Sequence, residues 1–186
     1  MTLNSNPTPN PGDVFRPEPD SGCLMCSEIE AGHSDVTTGR HIADLTASRL
    51  LLAANQYVSG MCMLISNAHA TELHHLPPTA AGGYFNDLLL SSAAVEEAFR
   101  PHKLNWEVLG NWTPHIHGFI KPRYRDDPIP DNRIPHDVPW VTVDEQEMDR
   151  RVELVRTALF AALDRDPRRL QLDVVLDPRE DDRHRG

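Results

Sequence analysis

The chain has 186 residues, enough for one domain with a hydrophobic core, and 39% of them are hydrophobic. Its formal net charge of −10 argues against a broad nucleic-acid-binding surface, which needs clustered Lys and Arg, but not against a small phosphorylated ligand in a locally basic pocket. No apolar run is as long as a transmembrane helix, which needs about 20 residues. The first ten residues, MTLNSNPTPN, do not resemble a secretory signal. We therefore expect a cytoplasmic protein with no membrane partner.

The N-terminal part divides into an arm and a cysteine-bearing segment. Prolines separated by Asn and Ser predict a disordered, Pro-rich arm over residues 1–20. Residues 21–33 follow as a compact segment with Cys23 and Cys26 and a short helical turn. Three cysteines in a chain without a signal do not suggest a disulfide framework, whereas the Cys-x-x-Cys spacing is typical of metal or redox chemistry.

The middle of the chain predicts two strands and a helix. RLLLAAN (49–55) and GMCMLIS (60–66) are the strands, joined by a turn. After a loop that ends in a proline pair, Thr79 can cap a helix over residues 80–99. The apolar spacing of that helix predicts one buried face, made of Phe85, Leu88, Leu89, Ser92, Val95 and Phe99.

The second half predicts strands at 104–110 and 115–121, a loop at 125–141 and an amphipathic helix at 144–164. The buried stripe of that helix consists of Met148, Val152, Val155, Leu159 and Leu163. A short strand over 170–176 follows. Hairpin-length links between the strands favour an α+β fold, with an antiparallel sheet and helices on one face. We predict a domain over 21–143, a packed helix and strand within 144–176, and a charged tail over 177–186.

The strand HIHGFIK (115–121) is the main functional candidate. Because side chains alternate between the two faces of a strand, His115, His117, Phe119 and Lys121 share one face. Imidazole can ligate metal, act as a base or attack phosphorus. Taken alone, the pattern is more typical of a hydrogen-bonded surface strand that carries two histidines.

A basic cluster follows the histidines. Lys121, Arg123 and Arg125 provide ammonium and guanidinium groups, which suit phosphate oxygens. By itself the cluster is also consistent with a solvated strand end. The chain contains no P-loop, GxGxxG or GxSxG pattern.

The segment GNWTPHIHGFIKPRYRDDP (110–128) resembles the signature of the HIT (histidine triad) superfamily of nucleotide hydrolases and transferases, in the bacterial form GN-x-x-P-H-x-H-x-H-x-x-P-R followed by DDP. The segments 23–33, 57–76 and 104–111 resemble other parts of the family, in the same order. The likeness covers about residues 23–128. It implies that residues 21–143 form a HIT-like, nucleotide-binding α+β domain.

The resemblance also implies a chemistry. The middle histidine of the triad, here His117, attacks the α-phosphorus of a nucleotide, and water or another acceptor resolves the nucleotidyl-histidine. Asn105 and Asn111 match positions that touch ribose or phosphate, and Asn55 and Gln56 match the nucleoside pocket. Dinucleoside polyphosphates or nucleoside phosphoramidates are the implied substrates, and a homodimer is the implied assembly.

Phe119 departs from the family pattern, because the third histidine belongs there and phenylalanine makes no hydrogen bond. Lys121 or Arg123, as substrate-binding residues beside Phe119, can replace the missing donor. Without a replacement, the loss is about 2.7 to 4 kcal/mol by analogy with other charge-stabilising donors. The alternatives are therefore a non-catalytic nucleotide-binding protein, or a HIT-fold protein recruited to a specialised pathway with different chemistry.

The resemblance also implies a structural zinc ion as the cofactor. Cys23 and Cys26 have the spacing of two zinc ligands. In the zinc-bearing branches of the family, two histidines complete the set, and these positions match His69 and His115. His74 and His75 are alternative ligands.

Overall fold

The computed structural model describes residues 22–30, 38–111, 113–127, 129–135, 138–168 and 174–175. The predicted arm (1–20) and tail (177–186) lie outside the described residues. The helices are α1 (Leu24–Glu30), α2 (Pro78–Phe99) and α3 (Glu145–Arg165), with a 3-10 turn at Leu73–His75. The strands are β1 (Gly39–Leu45), β2 (Ser48–Ala53), β3 (Cys62–Ser66), β4 (Lys103–Glu107), β5 (His117–Arg123) and β6 (Val174–Val175).

The six strands form one sheet in the order β4-β5-β3-β2-β1-β6, and every neighbouring pair is antiparallel. The predicted α+β class is confirmed. In the centre of the sheet, β3 pairs with β5 so that Ile65 lies opposite His117 and Cys62 lies opposite Ile120. The histidine strand is therefore held on both sides, by β3 and by the edge strand β4.

The helices lie on both faces of the sheet, so the prediction that they occupy one face is wrong. The main core joins the sheet to α2 and α3 and includes Leu64 and Ile120. On the other face, Met25 of α1 packs against Met63 and Ile65. Adjacent residues of a strand point to opposite faces, and the face that α1 covers is also the His117 face.

The sequence did not predict β1, and it misplaced the buried face of α2. The helix begins with Pro78 in its first turn and has no side-chain cap, so Thr79 is not its N-cap. Phe85 and Leu89 are about half exposed, whereas Asp87 is fully buried. The Asp87 carboxylate accepts hydrogen bonds from the backbone N–H of residue 47 and the hydroxyl of residue 48, which lie in and after the β1–β2 turn.

Helix α3 agrees closely with its prediction. Asp144 caps it by accepting a hydrogen bond from the Glu147 backbone N–H. Its apolar stripe belongs to the main core, and α3 packs against α2 and β1. The apolar stripe of α3 is therefore buried within the subunit. No helix in the described residues is both long and apolar enough to span a bilayer. The proposed domain boundaries stay predictions.

Candidate functional site

The segment that enters β5 is fixed by backbone contacts with the segment that leaves β3. The Ser66 N–H donates to the Ile116 carbonyl, and the Ile116 N–H donates to the Ala70 carbonyl, both at 2.9 Å. The strand itself begins at His117, two residues later than predicted. His115 therefore precedes the strand, and its ring is completely buried.

Four metal-ligand side chains converge at this point. Cys23 and Cys26 come from the start of α1, His69 from the segment after β3, and His115 from the residue pair before β5. Their ligand atoms all lie within 4.8 Å of one another. The Nδ1 atom of His115 lies 3.4 Å from Cys23 Sγ, 3.5 Å from Cys26 Sγ and 3.2 Å from His69 Nδ1.

These distances fit a tetrahedral metal site. Zinc bonds of about 2.3 Å to sulfur and about 2.0 Å to nitrogen put neighbouring ligand atoms about 3.3 to 3.8 Å apart. The His115 Nε2–H donates to the Ser66 carbonyl at 2.7 Å, which leaves the lone pair on Nδ1. Burial lowers the pKa of His115, so the neutral, ligating form is favoured. The predicted rivals His74 and His75 are exposed in the 3-10 turn.

His117 projects from the first position of β5. Its Nδ1–H donates to the His115 carbonyl at 2.8 Å, so the Nε2 lone pair is left for another partner. Burial lowers the pKa of His117, although the bond to the carbonyl opposes this shift. The result is a neutral, oriented imidazole, which is the form that can act as a nucleophile.

Phe119 lies beside His117, with the two ring centroids 5.9 Å apart and the rings nearly perpendicular. The side chain packs on two apolar clusters, one that contains Met25 and one that contains Tyr57 and Tyr124. At the place of the third triad histidine, Phe119 therefore acts as an apolar wall and supplies no hydrogen bond.

Lys121 continues the row on the same face. Its Nζ donates to Glu107 Oε2 at 2.6 Å and lies 5.5 Å from the centre of the Phe119 ring. Lys121 is 8% exposed, so the ammonium group is largely withdrawn from water. Glu107 reaches it because this residue of β4 pairs with Phe119 in the register between β4 and β5.

Arg123 is engaged by several partners inside the protein, and its assignment as a substrate-binding residue stays a prediction. It forms an ion pair with Asp127 and donates to the Asn105 side-chain oxygen and to the carbonyls of Ile129 and Asn132. A guanidinium that is only 3% exposed requires such partners. Arg123 fastens the segment 127–132 to the sheet.

The Arg123→Lys variant should lose about 2 to 4 kcal/mol of unfolding free energy, because an ammonium cannot replace the forked guanidinium contacts. Urea denaturation of the purified protein measures the loss. The exposed neighbour Arg125 is the matched control, and Arg125→Lys should leave stability unchanged. Equal stability of the two variants would contradict the internal role of Arg123.

The four polar residues expected around a nucleotide are not brought together. Asn105 faces Lys121 across the β4–β5 pair, and Asn111 is exposed in the link between these strands. Asn55 and Gln56 lie in the β2–β3 link, next to Ala53 and Met61, toward the end of β5 that is remote from His117.

Both β2–β3 link residues are held by internal hydrogen bonds. The Gln56 amide donates to the carbonyls of Ala53 and Met61 and accepts from Gly60 N–H and Arg151. Its donors and acceptor are thus satisfied internally, and its assignment to the nucleoside pocket stays a prediction. The Asn55 side-chain oxygen accepts from the backbone N–H groups of residues 57 and 141.

A cleft of about 770 Å³ opens beside β4. It lies between β4 and the segment 130–133, and its wall includes Asn105 and Glu107. Lys103, Arg123 and Arg133 add cationic side chains to this wall, and Asp131 adds a carboxylate. Arg123 is paired with Asp127, whereas Lys103 and Arg133 form no ion pair with a residue in the described ranges.

Glu107 and Asp127 are the ion-pair partners of Lys121 and Arg123, and neither was predicted from the sequence. The alternation in LNWEVL places Asn105 and Glu107 on one face, so the strand pattern contained a signal for Glu107. For Asp127, the pairing with Arg123 depends on how the chain folds back after β5, and no spacing rule predicts it.

Comparison with known proteins identifies the fold. No family model and no curated protein matches the sequence. Among solved structures, a histidine triad protein from Bradyrhizobium japonicum matches with a TM-score of 0.62 and 20% identity, over 72% of this chain and 95% of that one. A zinc-bound histidine triad family protein from Mycobacterium smegmatis matches with a TM-score of 0.57 and 19% identity, over 78% and 97%.

A hypothetical histidine triad nucleotide-binding protein from Sulfolobus tokodaii matches with a TM-score of 0.60 and 15% identity, over 75% of this chain and 93% of that one. The chain is thus an α+β protein with the histidine triad fold. The resemblance identified from the sequence is confirmed at the level of the fold, and His117 and Phe119 lie on an inner strand of the sheet.

Proposed function

We propose that this protein is a histidine triad enzyme, a nucleotide hydrolase or nucleotidyl transferase that acts at the α-phosphate of its substrate. The substrate class is a dinucleoside polyphosphate or a nucleoside phosphoramidate. The observation that carries the proposal is the His117 ring, whose Nδ1–H is bound to the His115 carbonyl. That bond points the Nε2 lone pair away from the backbone and leaves it available to an electrophile.

The proposed reaction has two displacements. In the first, His117 Nε2 forms a bond to the α-phosphorus, and the leaving group departs with the electron pair of its own bond to phosphorus. In the second, a water or acceptor oxygen bonds to phosphorus and releases its proton to bulk water, and the electron pair of the N–P bond returns to Nε2. The His115 carbonyl stabilises the positive charge that the ring carries between the two steps.

A structural zinc ion held by Cys23, Cys26, His69 and His115 is part of the proposal. The ligand distances, the Nδ1 lone pair of His115 and the similarity to a zinc-bound protein of the same fold support it. The ion would tie α1 to the entry of β5. A cytoplasmic location and a homodimer also stay predictions, and the α3 face that suggested a dimer is buried within the subunit.

The enzymatic proposal is tested by incubating the protein with adenylated and uridylated substrates of both classes and following intact mass and products. We expect a mass increase of one nucleotidyl group, together with nucleotide release. Tight nucleotide binding without an adduct or turnover across the whole panel would instead establish a non-catalytic nucleotide-binding protein.

That second function is favoured by one observation. Phe119 gives no hydrogen bond, and the nearest cation of the row, Lys121, is already paired with Glu107. If the Lys121–Glu107 ion pair does not separate, no hydrogen-bond donor on this face of β5 contacts the leaving group. Turnover of a non-nucleotide phosphorylated compound in the same assay would support the third alternative, a fold member recruited to a specialised pathway.

Phe119→His should raise turnover by about 100-fold, because it adds a donor of the kind that contributes about 2.7 to 4 kcal/mol elsewhere. The change also removes apolar contacts with the two clusters that Phe119 joins, so some stability is lost. Steady-state kinetics measure the gain, and Phe119→Leu, which adds no donor, is the matched control. An equal effect of both variants would show that the donor does not matter.

A further inference from the structure

The residues beyond His117 form a continuous row toward the cleft. On β5 the row runs through Phe119 to Lys121, and on β4 their partners in the strand register are Glu107 and Asn105. The latter two also line the cleft of about 770 Å³. The row that starts at the proposed nucleophile therefore lies beside two residues that line a cavity large enough for part of a ligand.

The Lys121–Glu107 pair lies at the middle of this row. Its side chains are only 10% and 17% exposed, and the Lys121 Nζ lies over the Phe119 ring. An ammonium and a carboxylate that are mostly withdrawn from water need each other, and a phosphate is another anion that satisfies the ammonium. A phosphate that enters the row can replace Glu107 as the partner of Lys121.

The length of the row indicates what kind of group reaches Lys121. Two same-face steps separate it from His117, about 13 Å along the strand. A small amine leaving group at His117 ends before Lys121, whereas a chain of phosphates continues along the row. Opposite Lys121 on β4, Asn105 offers an amide N–H group without a partner in the described residues. Lys103 and Arg133 add positive charge to the cleft.

We propose that Lys121, Asn105 and the adjoining cleft form a leaving-group subsite for a phosphate chain. The inference rests on the proposed function and favours substrates whose leaving group is a phosphate chain over phosphoramidates, whose leaving group is an amine. Lys121 binds the departing phosphates, and Glu107 holds Lys121 in place until they arrive. Lys103 and Arg133 bind the distal part of the leaving group.

The chemistry of the leaving group agrees with the apolar wall at Phe119. When Nε2 of His117 bonds to the α-phosphorus, the bond to the bridging oxygen breaks and its electron pair stays on that oxygen. The phosphate chain departs as an anion, which needs a cation but no proton. An amine leaving group needs a proton as its bond breaks, and Phe119 has none to donate.

The test compares ATP with adenosine 5′-phosphoramidate, and the corresponding uridine pair, in the wild type and two variants. Lys121→Gln should lower kcat/KM for the nucleoside triphosphate by about 10- to 100-fold and change the phosphoramidate value much less. Glu107→Gln should raise kcat/KM for the triphosphate several-fold, because a competing negative charge is removed. Arg150→Gln, which removes an exposed cation from α3, is the control and should leave both values unchanged.

Opposite changes in kcat/KM for Lys121→Gln and Glu107→Gln distinguish a leaving-group subsite from an ion pair that only supports the fold. If Lys121→Gln and Glu107→Gln lower both activities alike, the pair only supports the fold and the inference is overturned. A wild-type preference for the phosphoramidate would also overturn it.

If no substrate forms an adduct, the proposed function fails. The leaving-group subsite can still be tested by itself, through the binding of inorganic tripolyphosphate. Calorimetry should then give a dissociation constant about 10- to 100-fold weaker for Lys121→Gln and tighter for Glu107→Gln. Absence of tripolyphosphate binding to the wild type at millimolar concentration would end the inference.

Discussion

The His117→Ala protein should form no nucleotidyl adduct and should lose turnover by at least about 10⁴-fold, because no other group of the row can form the covalent bond to phosphorus. Lys121 is paired with Glu107, and Phe119 has no lone pair to offer. Intact-mass spectrometry after brief incubation with substrate detects the adduct, and product release gives the rate. Nucleotide binding should change far less than the rate.

His74→Ala is the matched control, since His74 is an exposed histidine of the 3-10 turn and should leave both readouts at the wild-type level. His117→Gly adds a rescue test, because free imidazole can occupy the space of the lost ring and restore part of the turnover. An adduct that persists in His117→Ala would place the nucleophile elsewhere and contradict the reaction described above.

Loss of the metal should have the largest effect on stability. In Cys26→Ser we expect bound zinc to fall from about one equivalent to below about 0.2, and the unfolding free energy to fall by several kcal/mol, because a structural zinc ion contributes its binding energy to folding. Cys26 is the cysteine closest to His69, at 3.2 Å, and its loss opens the tetrahedron. Metal analysis and urea denaturation with and without a chelator measure the two effects.

Cys62→Ala provides the control for this experiment. Cys62 is buried in β3 within the main core, so its replacement should cost packing energy but leave the zinc content at about one equivalent. Wild-type protein that purifies with little zinc, together with a Cys26→Ser variant of unchanged stability, would exclude a structural metal at this cluster.

The sequence predicted best those parts whose signal is local or periodic. The stripe of α3 and the apolar runs of β2 and β3 follow directly from side-chain periodicity. The Cys/His cluster was predicted from the resemblance and lies as expected, because the ligands were in register with a known pattern.

The prediction failed where a tertiary partner decides the burial of a polar side chain. In β1, the polar residues His41 and Asp44 interrupt the apolar run, and both contact a partner in the fold, since the Asp44 carboxylate lies beside the His41 ring and accepts a hydrogen bond from Arg49 of β2. In α2, the buried Asp87 is held by the β1–β2 turn, which rotates the helix relative to its apolar stripe. Neither partner is adjacent in sequence, so hydrophobic periodicity gives no sign of them.

The functional assignments have the same limit. Arg123 and Gln56 belong to residue types that bind phosphates and bases, but the fold uses their donors to hold loops in place. Lys121 has the same basic character as Arg123, and their partners distinguish the two: Lys121 is paired with Glu107, whereas Arg123 is bound by Asp127 and by loop carbonyls.

His115 serves two neighbouring sites through different atoms. Its ring belongs to the Cys/His cluster, whereas its main-chain carbonyl orients the ring of His117. A carbonyl is present whatever the side chain, so a substitution at position 115 leaves in place the group that sets the tautomer of His117. The tautomer therefore depends on the path of the backbone, which the Ile116 bonds to residues 66 and 70 maintain.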